Sequence, residues 1–550
     1  MPSRRESLLL LAAGGAIAAQ PAIGMSSASN SGNSAGKGGK DDPKPLQKWG
    51  KGIEGQRRAD LGDGRFLNPV LAGDYPDPTV LKDGEDYYMT HSSFDASPGL
   101  VIWHSRDLVN WTPIGSALPK PLGTVFAVDL VKHEGRYYIY IPFMKAPWSR
   151  DLKNFANIYV IHADSMQGPW SEPIDLGIGG LIDPGHVVGE DGERYLFLSG
   201  INRVKLRRDG LSTDGKVEKV YDGWKYPDDW ITEAYSLEGP KLLRRGDWFY
   251  IISAVGGTGG PVTGHMVIVA RSRSVNGPWE NCPQNPIVRT TDVAEQWWSR
   301  GHATAVEGPR GLWYLVYHGY ENGYRTLGRQ TLLEPIEWTA DGWPRAVGGD
   351  LSRPMPKPLV GQTASHGIAR SDTFATAAMG IRWTFFSASP EEASRASFGK
   401  DGLILQGKGT DVHDCSPLAQ MVGDRAYEIS VEMELRGEVQ GGLLLFFNDR
   451  MFLGMGHDGT KMTTYRGGKA AYWQEPAPAT RRLHLKIVNE NNIVTFYYSA
   501  DGRDWTRHYV RSETSGYHAN TMDDLVSLRP ALFAAGSGSV RFRNFTYRAL

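Results

Sequence analysis

Apolar and polar residues along most of this chain alternate in short runs, and helix-period patterning is scarce. Five runs are aromatic, and each follows an acidic residue or a histidine at a similar distance. Asp77 precedes Asp86-Tyr87-Tyr88-Met89-Thr90, Asp129 precedes Arg136-Tyr137-Tyr138-Ile139-Tyr140, and Asp183 precedes Arg194-Tyr195-Leu196-Phe197. Glu238 precedes Trp248-Phe249-Tyr250-Ile251-Ile252, and His302 precedes Trp313-Tyr314-Leu315-Val316-Tyr317. The offsets to Tyr87, Tyr137, Tyr195, Phe249 and Trp313 are 10, 8, 12, 11 and 11 residues. A repeat of roughly 50 to 65 residues, with a strand signature in every unit, predicts blades around an axis. If each flagged residue opens the innermost part of its blade, the five side chains converge on one cavity. Asp107-Leu108-Val109-Asn110-Trp111, Gly168-Pro169-Trp170 and Gly277-Pro278-Trp279 close successive units and are expected to wedge one blade against the next.

Beyond about Ser371 the pattern changes. Tyr427-Glu428-Ile429-Ser430-Val431-Glu432-Met433-Glu434-Leu435 alternates strictly, as do Leu483 to Ile487 and Val540 to Tyr547. One face of such strands is buried and the other wet, which fits two packed sheets. The chain therefore reads as all-β: a five-bladed β-propeller over residues 65–345, a Pro-rich connector over 346–370, and a jelly-roll-like C-terminal β-sandwich over 371–550. Ahead of these, Arg4-Arg5 and the short apolar stretch from Leu8 to Ala19 predict an export signal over residues 1–24, of twin-arginine type or an ordinary secretory one. That stretch is too short to span a bilayer comfortably. Residues 25–64 read as a Ser/Gly-rich disordered linker and an N-terminal lead-in. A bacterial periplasmic or secreted location follows.

The formal net charge of −1 gives no reason to expect nucleic acid or an anionic membrane as partner. The two cysteines, Cys282 and Cys415, fall in different predicted domains and cannot build a disulfide framework or a thiolate metal site. The 17 tryptophans suit core filling and, for a minority, sugar stacking.

Several carboxylates in one pocket point to acid–base chemistry. Glycoside hydrolysis needs one carboxylic acid to protonate the leaving oxygen and a second carboxylate to activate water or attack the sugar. Asp77, between Pro76 and Pro78, is short and stiffly mounted, which suits a base that aims water. It equally fits an Asp-Pro turn, and Asp74 is the rival carboxylate. Glu238 enters an apolar strand, where lost hydration raises a carboxyl pKa as a proton donor requires; a salt bridge to Lys241, Arg244 or Arg245 is the other reading. Asp129, in Phe126-Ala127-Val128-Asp129-Leu130, would raise that donor's pKa further if it lay beside it. Asp183 shares the register, but a turn role accounts for it. Phe94 and Trp298 are candidates for stacking on a pentose ring or for plain core packing, and His91 for the pocket wall.

These residues carry a resemblance. Asn68-Pro69-Val70, Asp77-Pro78-Thr79, the run from Met89 to Phe94, and the segment from Pro98 to Trp111 form its first part. Glu238-Gly239-Pro240 and Gly301-His302-Ala303-Thr304-Ala305-Val306 complete it. Together they resemble glycoside hydrolase family 43, and the C-terminal region resembles the sandwich appended to that family's β-xylosidases. The resemblance implies an inverting, single-displacement mechanism with Asp77 as general base, Glu238 as general acid and Asp129 as modulator of the acid's pKa. One departure shows: relatives usually read Trp-Ala-Pro-Asp where this chain has Phe126-Ala127-Val128-Asp129. His302 matches an axial histidine that in some relatives approaches calcium through water and in others lies against the sugar. Arg329 matches an arginine that reaches sugar hydroxyls; a surface ion pair is its other reading. No cofactor is required by this reading, and a structural calcium ion is the one option. The implied partner is an oligosaccharide or polysaccharide of the xylan or arabinoxylan kind. The implied activity is release of terminal pentose as a β-1,4-xylosidase, with α-L-arabinofuranosidase second and a non-catalytic carbohydrate-binding propeller as a different class. Exposed Tyr465 or Trp473 would support a sugar-binding sandwich.

Overall fold

A computed structural model describes residues 48–144, 156–361, 364–377, 379–386, 389–471, 476, 478–522 and 524–550. The predicted export signal and linker up to residue 47, and Trp473, lie outside the described residues. Five antiparallel sheets follow one another in the chain. Their innermost strands are Thr79–Asp83, Asp129–His133, Gly185–Val188, Glu238–Arg245 and Trp297–Glu307, and each touches the next, with the fifth returning to the first. The five aromatic runs are the second strands of the blades, where period-2 alternation buries tyrosine and aliphatic side chains between neighbouring sheets. Trp111 is fully buried, and Trp279 packs edge-on against Phe197 of the preceding blade at 5.9 Å, the wedge role expected of both.

The ring is closed by the chain that precedes blade one. Val70 and Leu71 donate backbone hydrogen bonds to Thr331 O on the last blade, and Asn68 Nδ2 donates to Leu333 O. The connector is strapped to the same region, since Met355–Pro356 pairs with Arg65–Phe66 and Lys357 Nζ lies 2.6 Å from Asp60 Oδ2.

The C-terminal domain is a sandwich of an eight-stranded and a seven-stranded antiparallel sheet around an aliphatic and aromatic core. One edge strand of the larger sheet comes from the propeller: Ala96–Ser97, in the first blade, pairs with Thr384–Phe386. The second tie is a buried charge cluster. Glu321 of the last blade accepts from Arg57 of the lead-in and Arg425 of the sandwich. Phe94 and Asp95, next to the shared strand, are thereby mounted on both domains. Tyr465 does not offer a sugar platform: it is buried, and its hydroxyl donates to Gln440 Oε1 at 3.0 Å. Cys282 and Cys415 are buried free thiols.

Candidate active site

One backbone kink recurs at the head of four blades. Asp77, Asp183, Gly239 and His302 have φ of +56°, +57°, +61° and +58°. Each stands two residues before a ladder rung: Thr79 with Thr90, Gly185 with Phe197, Lys241 with Ile252, and Thr304 with Val316. Left-handed φ is tolerated by glycine and, among other residues, best by Asp, Asn and His, the types found here. Gly239 also has no room for a side chain, because a Cβ there would lie 3.0 Å from His302 Nε2. The kinks bring Asp77, Asp183 and His302 together with Glu238 around a half-open cavity of about 1070 Å³ counted to its mouth. Phe94, Phe126, Ala127, Thr258 and Arg329 also line it.

Asp77 is held as a carboxylate. Burial alone would raise its pKa, but the Arg329 guanidinium, with Nη1 3.0 Å from Oδ1, pulls it well below the usual range. Ser92 Oγ donates to Oδ2 at 2.5 Å. Arg329 is itself set by Asp74, whose Oδ1 accepts the Arg329 backbone N–H at 3.0 Å. Burial pushes Asp74 up to about 6, so it makes a poorer permanent anion than Asp77. The three axial histidines are neutral. Burial drives His302 down to about 3 and pulls His318 and His265 below their ordinary value.

Glu238 is held as an acid. Burial raises its pKa well above the ordinary carboxyl value, and the charges of Asp183, Asp77 and Glu233 add to that. Asp183 is pushed up to about 7 by burial and by Asp77, while the Gly239 N–H donates to its Oδ2 at 3.1 Å. The two neighbouring carboxyls therefore share a high affinity for protons. This geometry assigns to Asp183 the neighbour's role that the sequence reading placed on Asp129.

Asp129 is displaced by its register. It pairs with Tyr140 as the first rung of blade two, so it stands two residues past the kink position, which in this blade is Ala127. It lies in the layer beneath the cavity, where Lys241 Nζ is 2.9 Å from Oδ1 and the His186 N–H donates to Oδ2 at 2.7 Å. Thr79 Oγ1 completes the set at 3.3 Å. Asp129 thus joins the innermost strands of four blades and does not line the cavity. The short offset of 8 was the signal for this, and the repeated pairs Asp77-Pro78, Asp183-Pro184 and Gly239-Pro240 marked the true register.

The remaining candidates divide. Phe94 lines the cavity, crossing Phe126 edge-on at 5.6 Å with the Arg329 guanidinium 5.3 Å from its ring centre. His91 faces a second, interdomain cavity with Asp74, Ser92 and Arg529, and its Nε2 is 3.3 Å from Thr331 Oγ1. Trp298 is absent from the cavity lining; its Nε1 donates to Val293 O at 3.0 Å. His302 Nδ1 is 3.5 Å from Asp77 Oδ1, and its Nε2 is buried without a protein partner. Among the described residues no group of three or more His, Cys, Asp or Glu side chains is placed to hold a metal directly.

The sandwich completes the site. Ala519, Asp524, Leu525 and Val526, on the segment between the strands Thr506–Glu513 and Arg529–Gly536 of that domain, form one wall of the cavity. Sequence reading could not find this loop, because nothing in its residues records which surface it meets.

Comparison with known proteins agrees with this architecture. Residues 66–344 match the family described as glycosyl hydrolases family 43, and residues 371–542 match the β-xylosidase C-terminal concanavalin A-like domain. A non-reducing-end α-L-arabinofuranosidase of Bacteroides ovatus is 32% identical over 376 residues, 64% of this chain and 66% of that one. A xylan 1,3-β-xylosidase of a Vibrio species is 31% identical over 323 residues, 51% of this chain and 57% of the other. The matched stretches thus span somewhat under two thirds of these relatives' lengths. The crystal structure of the family-43 protein BlXynB from Bacillus licheniformis superposes with a TM-score of 0.77 at 28% identity, covering 88% of this chain and all of that one. With the propeller, its axial carboxylates and the appended sandwich all accounted for, the chain belongs to glycoside hydrolase family 43.

Proposed function

We propose that this family-43 glycosidase releases terminal pentose units from hemicellulose fragments by single displacement. β-1,4-Xylosides are the leading substrates and α-L-arabinofuranosides the second. The observation that carries the reading is a cavity in which burial and neighbouring charges split two carboxyls apart, Asp77 downward and Glu238 upward. Asp77, oriented by Arg329 and Ser92, takes a proton from water as the water oxygen bonds to the anomeric carbon. Glu238 gives its proton to the glycosidic oxygen as that bond breaks, and both carboxyls return to their starting states by exchange with solvent. Asp183 keeps Glu238 protonated between turnovers. The wall contributed by Ala519, Asp524, Leu525 and Val526 closes the cavity against a through-running polymer, which fits exo action. The pentose preference draws on the names of the relatives and of the C-terminal domain family.

Paired assays on nitrophenyl β-xyloside and nitrophenyl α-L-arabinofuranoside, with proton NMR of the sugar first released, test the proposal. The expected result is hydrolysis of at least one with inversion at the anomeric carbon. Retention would contradict the roles given to Asp77 and Glu238, and inertness toward both would remove the substrate class. Export rests on Arg4-Arg5 and the apolar stretch after them. Changing both arginines to lysine should leave the full chain in the cytoplasm of an expressing bacterium if the twin-arginine route carries it.

A further inference from the structure

The cavity holds an acidic side chain, Glu233, whose only part so far is a like charge felt by Glu238. We infer that Glu233 selects the leaving group by accepting hydroxyls of the sugar unit beyond the scissile bond. The inference rests on the pentosidase reading and specifies its other subsite. Glu233 lines the same cavity as Asp77 and Glu238, on the loop that leads into the strand carrying Glu238. It is mounted rigidly. The Gly259 N–H donates to Oε2 at 2.8 Å, and the Glu233 backbone N–H donates to Gly256 O at 2.9 Å. The facing glycines leave it room: a Cβ on Gly257 would stand 2.7 Å from Oε2, and one on Gly260 would stand 2.4 Å from the Glu233 Cβ. The sandwich braces this glycine run from outside. Asn520 Nδ2 donates to Gly260 O at 3.1 Å, and Leu525 Cδ2 lies 3.6 Å from a Cβ position on Gly259.

Exposure separates Asp77 from the other two carboxyls. Asp77 is 5% exposed and enclosed by Arg329, Ser92 and His318, whereas Glu238 and Glu233 are only half-buried. In a single displacement, water and base lie on one face of the sugar and the acid and departing oxygen on the other. A carboxylate on the acid's side of the cavity, as Glu233 is, therefore meets the leaving group. Its two oxygens offer about four acceptor positions, so a hydroxyl can be taken in addition to the protein partners Glu233 already has. An aromatic aglycone presents no such hydroxyls; a second pyranose does.

The test compares two leaving groups on one terminal sugar. Wild type, Glu233→Gln and Glu233→Ala are assayed on xylobiose and on nitrophenyl β-xyloside. Glutamine keeps an oxygen for the Gly259 N–H and removes the charge, so it isolates the hydroxyl contact if alanine fails to fold. The expected result is a loss of kcat/KM, carried mainly by KM, that is about 10- to 100-fold greater on xylobiose than on the nitrophenyl substrate. Equal loss on both would overturn the inference, because it would mark a loop support; a loss on xylobiose carried by kcat, with the alkaline limb of the pH–rate profile moved, would overturn it too, because it would mark a field acting on Glu238. Unchanged xylobiose hydrolysis would overturn it as well. If wild type cleaves neither compound, the pentoside assignment fails separately. The same comparison is then made with the disaccharide and nitrophenyl glycoside of the sugar that wild type does release.

Discussion

Two sets of buried carboxylates surround the propeller axis, one layer apart, and they do different work. Asp77 and Asp183 sit on left-handed kinks that turn them into the cavity, where Arg329 serves Asp77, while for Asp183 burial and the charge of Asp77 outweigh the Gly239 amide. Asp129, two residues further along its blade, is the head of a regular strand and is consumed by Lys241, Thr79 and the His186 amide. Burial is almost the same for all three. Partners therefore separate them: a buried charge fully paired within the protein holds blades together, and one left facing a cavity is available for chemistry.

Three substitutions would break or sharpen this contrast. Asp77→Asn should remove about 10³-fold or more of kcat on any leaving group, because water activation is always needed; turnover on nitrophenyl substrates gives the measure, and wild-type-like rates would empty the upper layer of its role. Asp183→Asn should cost less, about 10- to 100-fold, and should move the alkaline limb of the pH–rate profile toward lower pH. The sign follows from removing a negative neighbour: Glu238 then loses its proton more readily, so the protonated acid is depleted at a lower pH. A limb that stays put would deny the coupling. Asp129→Asn should leave the pH profile in place and act on stability instead. It strands the Lys241 ammonium in the interior, which costs about 3–5 kcal/mol and shows as a lowered denaturant midpoint. A shifted alkaline limb with unchanged stability would reverse the roles of the two layers.

Much of this was legible before any coordinates. The aromatic second strands announced five blades because strand alternation and blade packing are local demands on each stretch of sequence. Asp77, Glu238, Arg329 and Phe94 were singled out and line the cavity. Asp129 and Asp183 were exchanged, since counting backward from a strand cannot see where a ladder begins; a two-residue difference in register carries a side chain to another layer. His91 and Trp298 were misplaced for a related reason. Their surroundings come from Thr331 and Val293, residues remote along the chain or on another loop, and no spacing encodes those meetings.

Strand identity, blade number, the change to a sandwich after residue 371 and the chemical types at the blade heads belong to the sequence by itself, because each depends on periodicity and residue type within a short window. The partner of every buried charge, the cavity wall drawn from Ala519, Asp524, Leu525 and Val526, and the brace behind Glu233 were decided only by the tertiary structure. Those depend on which distant segments share one low-dielectric space, where the pairing of a charge determines whether it supports the fold or remains free to move a proton.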